Sequence, residues 1–275
     1  MIKRIILLLI ALFISLTICG AANATNSTNI ISISTNGSIS NGYSSGASVS
    51  ADGRYITFSS YATNLVAGDN NSCSDIFVRD RVLNTTKRIS VSNSGEESNG
   101  DSYGPSISIE GRYIAYTSYA TNLVANDNNG YSDVFVYDRL RDITQRVSIS
   151  NNGYEGNGDS YEPSISADGS YIAFSSSASN LVTDDTTGCN DVFVYNKISN
   201  TIKRISVSNT GEEGNGDSYE PSISANGNFI AFTSYADNLV NNDINGCSDV
   251  FVYNQTSNTI KRISISSKGE EGRWK

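Results

Sequence analysis

The sequence predicts an all-β repeat protein, and three observations support this prediction. A turn glycine recurs every 58 residues, at Gly53, Gly111, Gly169 and Gly227. An aspartate that opens an apolar run recurs at the same spacing, at Asp75, Asp133, Asp191 and Asp249. The runs between them are short and rich in β-branched and aromatic residues, without helical periodicity after the first two dozen residues. Such a period is typical of folds in which neighbouring units bury one another's faces.

Four strands are predicted in each unit. In the second unit they cover about 106–108, 113–118, 133–138 and 146–150, and turn residues separate them. The first and last runs alternate apolar residues with serine, as half-buried strands do, whereas 134–137 is apolar throughout and is expected to be covered on both faces. A four-stranded unit of this length is typical of one blade, so we predict a β-propeller.

We predict a single propeller domain over 25–275. Its repeat units span about 47–104, 105–162, 163–220 and 221–275. Residues 29–46 match the end of a unit, because Ile31 and Ile33 stand where Ile89 and Val91 stand later, and we interpret them as a remnant that adds an extra N-terminal strand. Two architectures are open: a four-bladed ring with a spare strand, which we favour, or a shortened relative of a larger propeller with edges to cover.

The repeated strings resemble the TolB-like, WD-repeat-like β-propeller repeats. They are SVSADGRYITFSS, SISIEGRYIAYTS, SISADGSYIAFSS and SISANGNFIAFTS, each followed by DIFVRDR, DVFVYDR, DVFVYNK or DVFVYNQ. The resemblance covers about residues 30–266, and only Glu110 and Asn226 depart from the turn aspartate. It implies the fold. It implies no single activity, since propellers of this kind serve as binding platforms, protease accessory domains and surface proteins.

The N-terminus predicts export. Lys3 and Arg4 precede an apolar stretch over 5–19, and Ala22-Asn23-Ala24 offers a small-x-small cleavage site, so residues 1–24 have the pattern of a secretory signal peptide. An uncleaved anchor is the alternative, but the stretch is shorter than the ~20 residues of a spanning helix. We expect an extracytoplasmic protein (secreted, at the cell surface, in the envelope or in the periplasm) without a transmembrane segment after cleavage. The net charge of −9 disfavours nucleic acid as a partner.

One recurring loop pattern has the residue types of a calcium site. Oxygen-bearing side chains stand at alternating positions before the third strand of each unit, and calcium prefers such hard donors. The candidate ligands are Asp69, Asn71 and Asp75; Asp127, Asn129 and Asp133; Asp185 and Asp191, with Thr187 between them; and Asp243, Asn245 and Asp249. Bound calcium would stiffen the loops. The alternative, which we favour, is that Asp and Asn stabilise the turns through their own backbone.

The long loops predict a binding face. The loops after the second and fourth strands of a blade emerge on the same face, and here both are long, which is where binding surfaces are usually built. Tyr103, Tyr161 and Tyr219, with Glu162 and Glu220, stand at the start of innermost strands and could line the mouth of a central channel. Aromatic rings beside carboxylates suit sugars or peptides, although a tyrosine at a strand start more often packs with its hydroxyl in water.

Several enzyme classes are excluded by composition. The chain contains no histidine, so Ser-His-Asp and Cys-His hydrolysis are impossible. Glycoside hydrolysis by paired carboxylates remains open, with Glu162 and Glu220 as candidates. The same acids recur in every unit, however, which favours repeated binding over catalysis. We therefore predict a non-catalytic binding or structural module for a protein or polysaccharide at the cell surface; the alternatives are a carbohydrate-active propeller enzyme and an accessory propeller for a partner protein.

Overall fold

The computed structural model describes residues 28–269, in which every regular element is a β-strand. Sixteen strands, numbered in chain order, are β1 (Ser44–Val49), β2 (Tyr55–Ser60), β3 (Asp75–Asp80), β4 (Thr85–Arg88), β5 (Ser102–Ile107), β6 (Tyr113–Ser118), β7 (Asp133–Asp138), β8 (Ile143–Arg146), β9 (Ser160–Ile165), β10 (Tyr171–Ser176), β11 (Asp191–Asn196), β12 (Thr201–Arg204), β13 (Ser218–Ile223), β14 (Phe229–Ser234), β15 (Asp249–Asn254) and β16 (Thr259–Arg262). Over the same range, no helix is long and apolar enough to cross a membrane. The predicted signal peptide at 1–24 lies outside the described residues.

The strands form four antiparallel sheets of four, each in sequence order from β1-β2-β3-β4 to β13-β14-β15-β16. This is the up-and-down arrangement of a propeller blade, so the predicted TolB-like, WD-repeat-like blade fold is confirmed. The inner strand of each blade carries a bulge; in β5 the register with β6 shifts between Tyr103 and Ser106. A bulge re-aims the side chains beside it, here at the end of the strand nearest the long loops.

The third strand of each blade lies at the centre of the packing. Ile76 and Phe77 of β3 are fully buried, and the corresponding strands β7 and β11 are buried over nearly their whole length. Phe135 stacks on Tyr116 of the neighbouring strand with ring centroids 5.9 Å apart. The continuous apolar run of the sequence thus reflects burial on both faces in the first three blades, as predicted, whereas β15 of the fourth blade is buried on one face.

Consecutive blades pack face to face. The first apolar interface joins Tyr55 and Ile76 of the first blade to Ile114 and Tyr137 of the second. The recurring glycine belongs to this interface: Gly111 has a φ of 71°, and a Cβ added to it would lie 2.3 Å from Cδ2 of Tyr55. Glycine is needed there for its left-handed backbone and for the close approach of the tyrosine.

The four blades form an open arc within the described residues. The packed sheets are the first with the second, the second with the third, and the third with the fourth. The fourth does not pack on the first, so the described residues do not form the closed ring that we favoured from the sequence. The N-terminal remnant is a turn closed by a bridge between Ile33 and Ile39, in place of a strand, and it matches the Val91–Glu97 bridge of a later loop.

Candidate functional site

The two long loops of each unit lie together on one face, called here the loop face. The backbone N–H of Asn70, in the loop after β2, donates to Oε2 of Glu97, in the loop after β4, at 3.1 Å. Nδ2 of Asn71 donates to the carbonyl of Ser98 at 2.9 Å. Asn128 donates to Glu155 and Thr186 to Glu213 in the same way, so in the first three blades the candidate calcium loop and the loop that leads to the next blade are joined by hydrogen bonds.

An arginine lies among the candidate metal ligands of each blade. In the second blade, Nη1 of Arg146 is 3.1 Å from Oδ1 of Asp127, 3.1 Å from Oδ2 of Asp133 and 2.8 Å from Oε1 of Glu155. Arg88 and Arg204 contact the equivalent three acids in their blades, and Arg262 contacts Asp243 and Asp249. One guanidinium nitrogen therefore stands where the carboxylates converge. We call each such group an arginine–acid cluster.

The asparagines of the motif stabilise the loop itself. Nδ2 of Asn71 also donates to Oδ2 of Asp75 at 3.0 Å, and its Oδ1 accepts the N–H of Cys73 at 2.9 Å. Asn129 and Asn245 make the same two bonds in their blades. An amide oxygen that accepts a nearby backbone N–H is an Asx-type turn contact, which is the alternative that the sequence analysis favoured.

The clusters carry more negative than positive charge. Three carboxylates share one guanidinium in each of the first three blades. Burial, and then the nearby charge of Asp75, raise the pKa of Asp69 to about 6. The same causes raise the pKa of Asp127 to about 6 and that of Asp185 to about 7. The arginine thus compensates the buried acids only in part.

The third blade gives the tightest cluster. Asp185, Asp191 and Glu213 each offer an oxygen within 4.8 Å of the others, a spacing compatible with a shared cation. Nη1 of Arg204 is within 3.5 Å of all three residues. Calcium requires six to eight oxygen ligands at 2.3–2.6 Å, so it could enter only if the guanidinium moved out. Calcium binding stays a prediction, and the guanidinium of the arginine would compete with calcium for the carboxylates.

The sequence analysis did not predict that the arginines, or the glutamates of the following loop, contact these aspartates. A signal was present, since Arg88, Arg146, Arg204 and Arg262 recur every 58 residues, in phase with the aspartates. Position in the repeat could not show which side of the outer strand they occupy. The structure shows that their side chains are at most 10% exposed and turn inward.

The predicted tyrosines line the ends of the inner strands. Oη of Tyr103 lies 2.6 Å from Oη of Tyr61, which follows β2. Oη of Tyr161 donates to Oδ1 of Asn190 at 2.8 Å, and Nδ2 of Asn190 donates to Oη of Tyr219 at 3.2 Å. Burial, and then neighbouring Tyr219, raise the pKa of Tyr161 to about 12. These hydroxyls are thus neutral hydrogen-bonding groups near neutral pH.

Further tyrosines are exposed beside them. Tyr61, Tyr119 and Tyr235 occupy the same position in the first, second and fourth blades, where the third has Ser177, and they are 43%, 52% and 61% exposed. The N–H of Tyr119 donates to the carbonyl of Asp101, and that of Tyr235 to the carbonyl of Asp217, both at 2.9 Å. These hydrogen bonds fix the backbone at each tyrosine, so the exposed ring is attached to a rigid position. Together with Tyr103, Tyr161 and Tyr219 they form what we call the tyrosine row.

The two predicted glutamates occupy unusual backbone positions. Glu162 has a φ of 56° and Glu220 a φ of 54°, whereas the first two blades have Gly46 and Gly104 there. The N–H of Glu220 donates to Oε2 of Glu162 at 3.0 Å, so the structure brings the glutamates of neighbouring blades together. Left-handed backbone costs a non-glycine residue on the order of 1 kcal/mol, and such strain concentrates at functional sites.

Several solved structures have some likeness to this chain. TolB from Acinetobacter baumannii is 17% identical with a TM-score of 0.49, and the match covers 86% of this chain and 47% of that one. The β-propeller domain of the Trilobed protease from Pyrococcus furiosus is 10% identical (TM-score 0.48; 82% and 58% covered). An oligogalacturonate lyase from Vibrio parahaemolyticus is 10% identical (TM-score 0.46; 80% and 52%). This chain spans about half the length of that TolB.

No protein-family model matches the chain, and no curated protein matches it. The fold therefore rests on the four sheets themselves, and no activity of the three proteins is carried over to this one.

Proposed function

We propose that the protein is an exported, non-catalytic propeller-type module that binds a partner through the tyrosine row of the loop face. The observation that carries this proposal is the repetition of exposed rings at one position of three blades, at Tyr61, Tyr119 and Tyr235. Exposed large aromatic side chains that the fold holds in place are typical of binding surfaces.

The chemistry of the row suits a carbohydrate or a peptide. Each ring offers an apolar face and a hydroxyl, and Asp101 and Asp217 lie beside the rings in the adjoining loop. Tyrosine supplies this contact area at low cost in side-chain entropy. Because the position recurs from blade to blade, weak contacts with a repetitive partner add up to useful avidity. The proposed partner is therefore a polysaccharide or protein of the cell surface or envelope.

Export rests on the N-terminal sequence, where residues 1–24 have the pattern of a signal peptide. The acidic net charge agrees with a partner other than nucleic acid. The paired glutamates are included in the binding surface: Glu162 accepts the N–H of Glu220 and so is oriented along the inner strands. No specific observation favours catalysis or an accessory role, and catalysis serves as one outcome of the test.

The test compares the chain from residue 25 with two variants. Tyr119→Ser and Tyr235→Ser introduce the residue that the third blade has at Ser177. Binding to envelope polysaccharide and to envelope proteins is measured by sedimentation and pull-down. The control is Ile198→Ser, which alters an even more exposed apolar residue in the β11–β12 turn on the opposite face.

We expect each tyrosine variant to weaken binding roughly tenfold, which corresponds to about 1.4 kcal/mol, and the control to bind normally. Full binding by both tyrosine variants would contradict the proposal. Turnover of a polysaccharide that Glu162→Gln abolishes would instead establish the carbohydrate-active alternative.

A further inference from the structure

The open arc leaves two sheet faces unpacked, one at each end. We call the side of a blade that meets the next blade its trailing face, and the side that meets the preceding blade its leading face. On the trailing face of the first blade, Tyr55 is 8% exposed and Ile76 is fully buried. The equivalent residues of the fourth blade, Phe229 and Val250, are 46% and 37% exposed. The fourth blade therefore presents an interface of the internal kind without a partner among the described residues.

The leading face of the first blade is open beside β1, whereas Ile31 of the N-terminal turn covers the part around Phe58. Val49 is 57% exposed, whereas its equivalent Ile107 is 8% exposed. A groove of about 610 Å³, mostly apolar, runs along this face between β1 and the N-terminal turn, with Ile30, Ile56 and Phe58 among its lining residues. The two open faces are the two halves of an interface that the chain already forms three times.

We propose that a second copy of this chain covers these faces, with the fourth blade of one copy packed head to tail on the first blade of the other. The partner is fixed by contacts that recur at the internal interfaces. The aromatic contact and the backbone ladder occur at all three, and a cation contact occurs at the first two, with Gln255 in place of the cation at the third. Each contact joins one group on a blade to a different group on the next blade. The first and fourth blades each carry one of these two groups without its counterpart.

The aromatic contact is the most specific of these. A Cβ on Gly111 would lie 2.3 Å from the Tyr55 ring, one on Gly169 2.2 Å from Tyr113, and one on Gly227 2.4 Å from Tyr171. The next ring in the series is Phe229, and the corresponding glycine is Gly53 of the first blade. Gly53 has a φ of 67°, and a Cβ on it would meet only Nη1 of Arg81 within 4 Å. The receptor for Phe229 is thus formed and open.

A cation completes the receptor. The guanidinium of Arg139, on the second blade, lies 3.8 Å from the centre of the Tyr55 ring on the first, and the Lys197 ammonium lies 3.2 Å from the centre of the Tyr113 ring. The equivalent residue of the first blade is Arg81, whose Nη1 donates to the carbonyl of Gly53 at 2.9 Å. Nε of Arg139 donates in the same way to Gly111. Arg81 of one copy is therefore placed to stack on Phe229 of the other.

Backbone hydrogen bonds repeat in the same direction, from an N–H on one blade to a carbonyl on the next. The N–H of Ala51 donates to the carbonyl of Ile109, that of Ile109 to Ala167, and that of Ala167 to Ala225, in a ladder with one step per blade. At the junction the N–H of Ala225 would meet the carbonyl of Ala51. Both residues are exposed in the single chain. These contacts have a direction, so the interface joins unlike ends. Two copies that close on each other would form a ring of eight blades, within the range of known propellers.

The junction differs from the internal interfaces where the N-terminal turn lies. Thr35 accepts the N–H of Thr86, and the hydroxyl of Thr86 donates to the carbonyl of Ile33, as Asn93 and Val91 accept from Thr144 at the first internal interface. Ile31 of the N-terminal turn packs on Phe58 and Leu65, in the place that Ile89 takes between the first and second blades. Residues 263–269 of the other copy are the equivalents of 31–37 in the repeat, so this segment must lie elsewhere when the junction forms. The junction therefore buries less apolar surface than an internal interface, and we expect association that is reversible and depends on concentration.

The test uses the chain from residue 25 in sedimentation velocity over a range of concentrations. We expect a two-copy species whose fraction rises with concentration. Phe229→Lys opposes the charge of Arg81 and should shift the midpoint of association by at least tenfold. Ile198→Lys, a matched apolar-to-basic change at an exposed position outside both end faces, should not shift it.

The double variant Phe229→Lys with Arg81→Glu should restore association. The two residues lie on end blades that do not pack on each other within one chain, so rescue requires contact between copies. Thermal unfolding of each variant checks that the blades remain folded. A chain that stays monomeric at every concentration overturns the proposal, as does association that Phe229→Lys leaves unchanged. Long open assemblies that show the same rescue would support the junction and overturn the closed ring.

Discussion

Nη1 of Arg204 lies 2.7 Å from Oε1 of Glu213, and these residues join the outer strand of the third blade to the loop that leads to the fourth. The same guanidinium nitrogen contacts Asp185, in the loop before β11, and Asp191, the first residue of β11. In each of the first three blades, one arginine therefore ties both long loops to the sheet. The loop face is consequently held by the charged clusters beneath it, and its properties should respond to changes in those clusters.

Loss of the cluster arginine should destabilise the protein. Arg146→Leu leaves Asp127, Asp133 and Glu155 without their cation, and removal of one partner from a buried ion pair costs about 3–5 kcal/mol. The free energy of unfolding, measured in urea, should fall by about 3 kcal/mol. The control is Lys87→Ala, which removes an exposed pair with Asp142 and should cost less than about 1 kcal/mol. Equal effects of the two changes would show that the clusters contribute little.

The cluster arginine should also decide the response to calcium. Its guanidinium occupies the centre of the carboxylates, so calcium should stabilise the Arg204→Gln variant more than the parent chain. A ligand that binds only the native state raises the unfolding midpoint by mass action. Midpoints are measured in EDTA and then across a calcium titration into the millimolar range. A saturable rise in the parent chain would mean that the loops bind calcium despite the arginine.

Stability should pass through a maximum in mildly acidic solution. Asp69, Asp127 and Asp185 have folded-state pKa values of about 6 to 7, above the unfolded value of about 3.9. Between these values the native state binds more protons than the unfolded state, so stability falls as the pH rises through about 4 to 7. Unfolding free energies at a series of pH values should show this slope, and Asp127→Asn should flatten it.

The acidic side of the maximum has a different origin. Burial opposes ionisation of Glu213, but the N–H groups and hydroxyls of Thr186 and Thr187 outweigh it and lower its pKa to about 2. Arg54 and backbone N–H groups hold the pKa of Asp80 at about 2 in the same way. Folded pKa values below the unfolded ones give stability that is lost as the pH falls from about 4.5 towards 2. In the Asp80→Asn variant, the free energy of unfolding should fall less steeply below about pH 4.5, and its slope at higher pH should be unchanged.

The sequence predicted the blades well because their signals are local and repeated. The 58-residue spacing, the glycine turns and the apolar third strand each reflect a constraint that every blade meets, as the burial of Ile76 and the fit of Gly111 against Tyr55 show. Closure of the ring is a property of the whole arc. Closure depends on the angle of rotation between successive blades. That angle cannot be predicted from a local residue pattern.

Site prediction was limited for a related reason. Asp75 and Asn71 are near in sequence, so their shared loop was visible, but Arg88 and Glu97 reach them from other strands and loops. The left-handed backbone of Glu162 and Glu220 was likewise hidden, because glutamate gives no sequence signal for a positive φ. Comparison with Gly46 and Gly104 at the same repeat position was the one available indication.

Replacement of the strained glutamates by glycine should separate stability from function. Glu220→Gly relieves a φ of 54° and restores the residue type of the first two blades, so the free energy of unfolding should rise by about 1 kcal/mol. Glu162→Gly relieves similar strain but removes the acceptor for the N–H of Glu220, so its gain should be smaller. Urea unfolding measures both. If the carboxylates are retained for binding, both variants should also lose affinity for the envelope partner while they remain fully folded; a stabilised variant with full binding would show that the strain has no role in recognition.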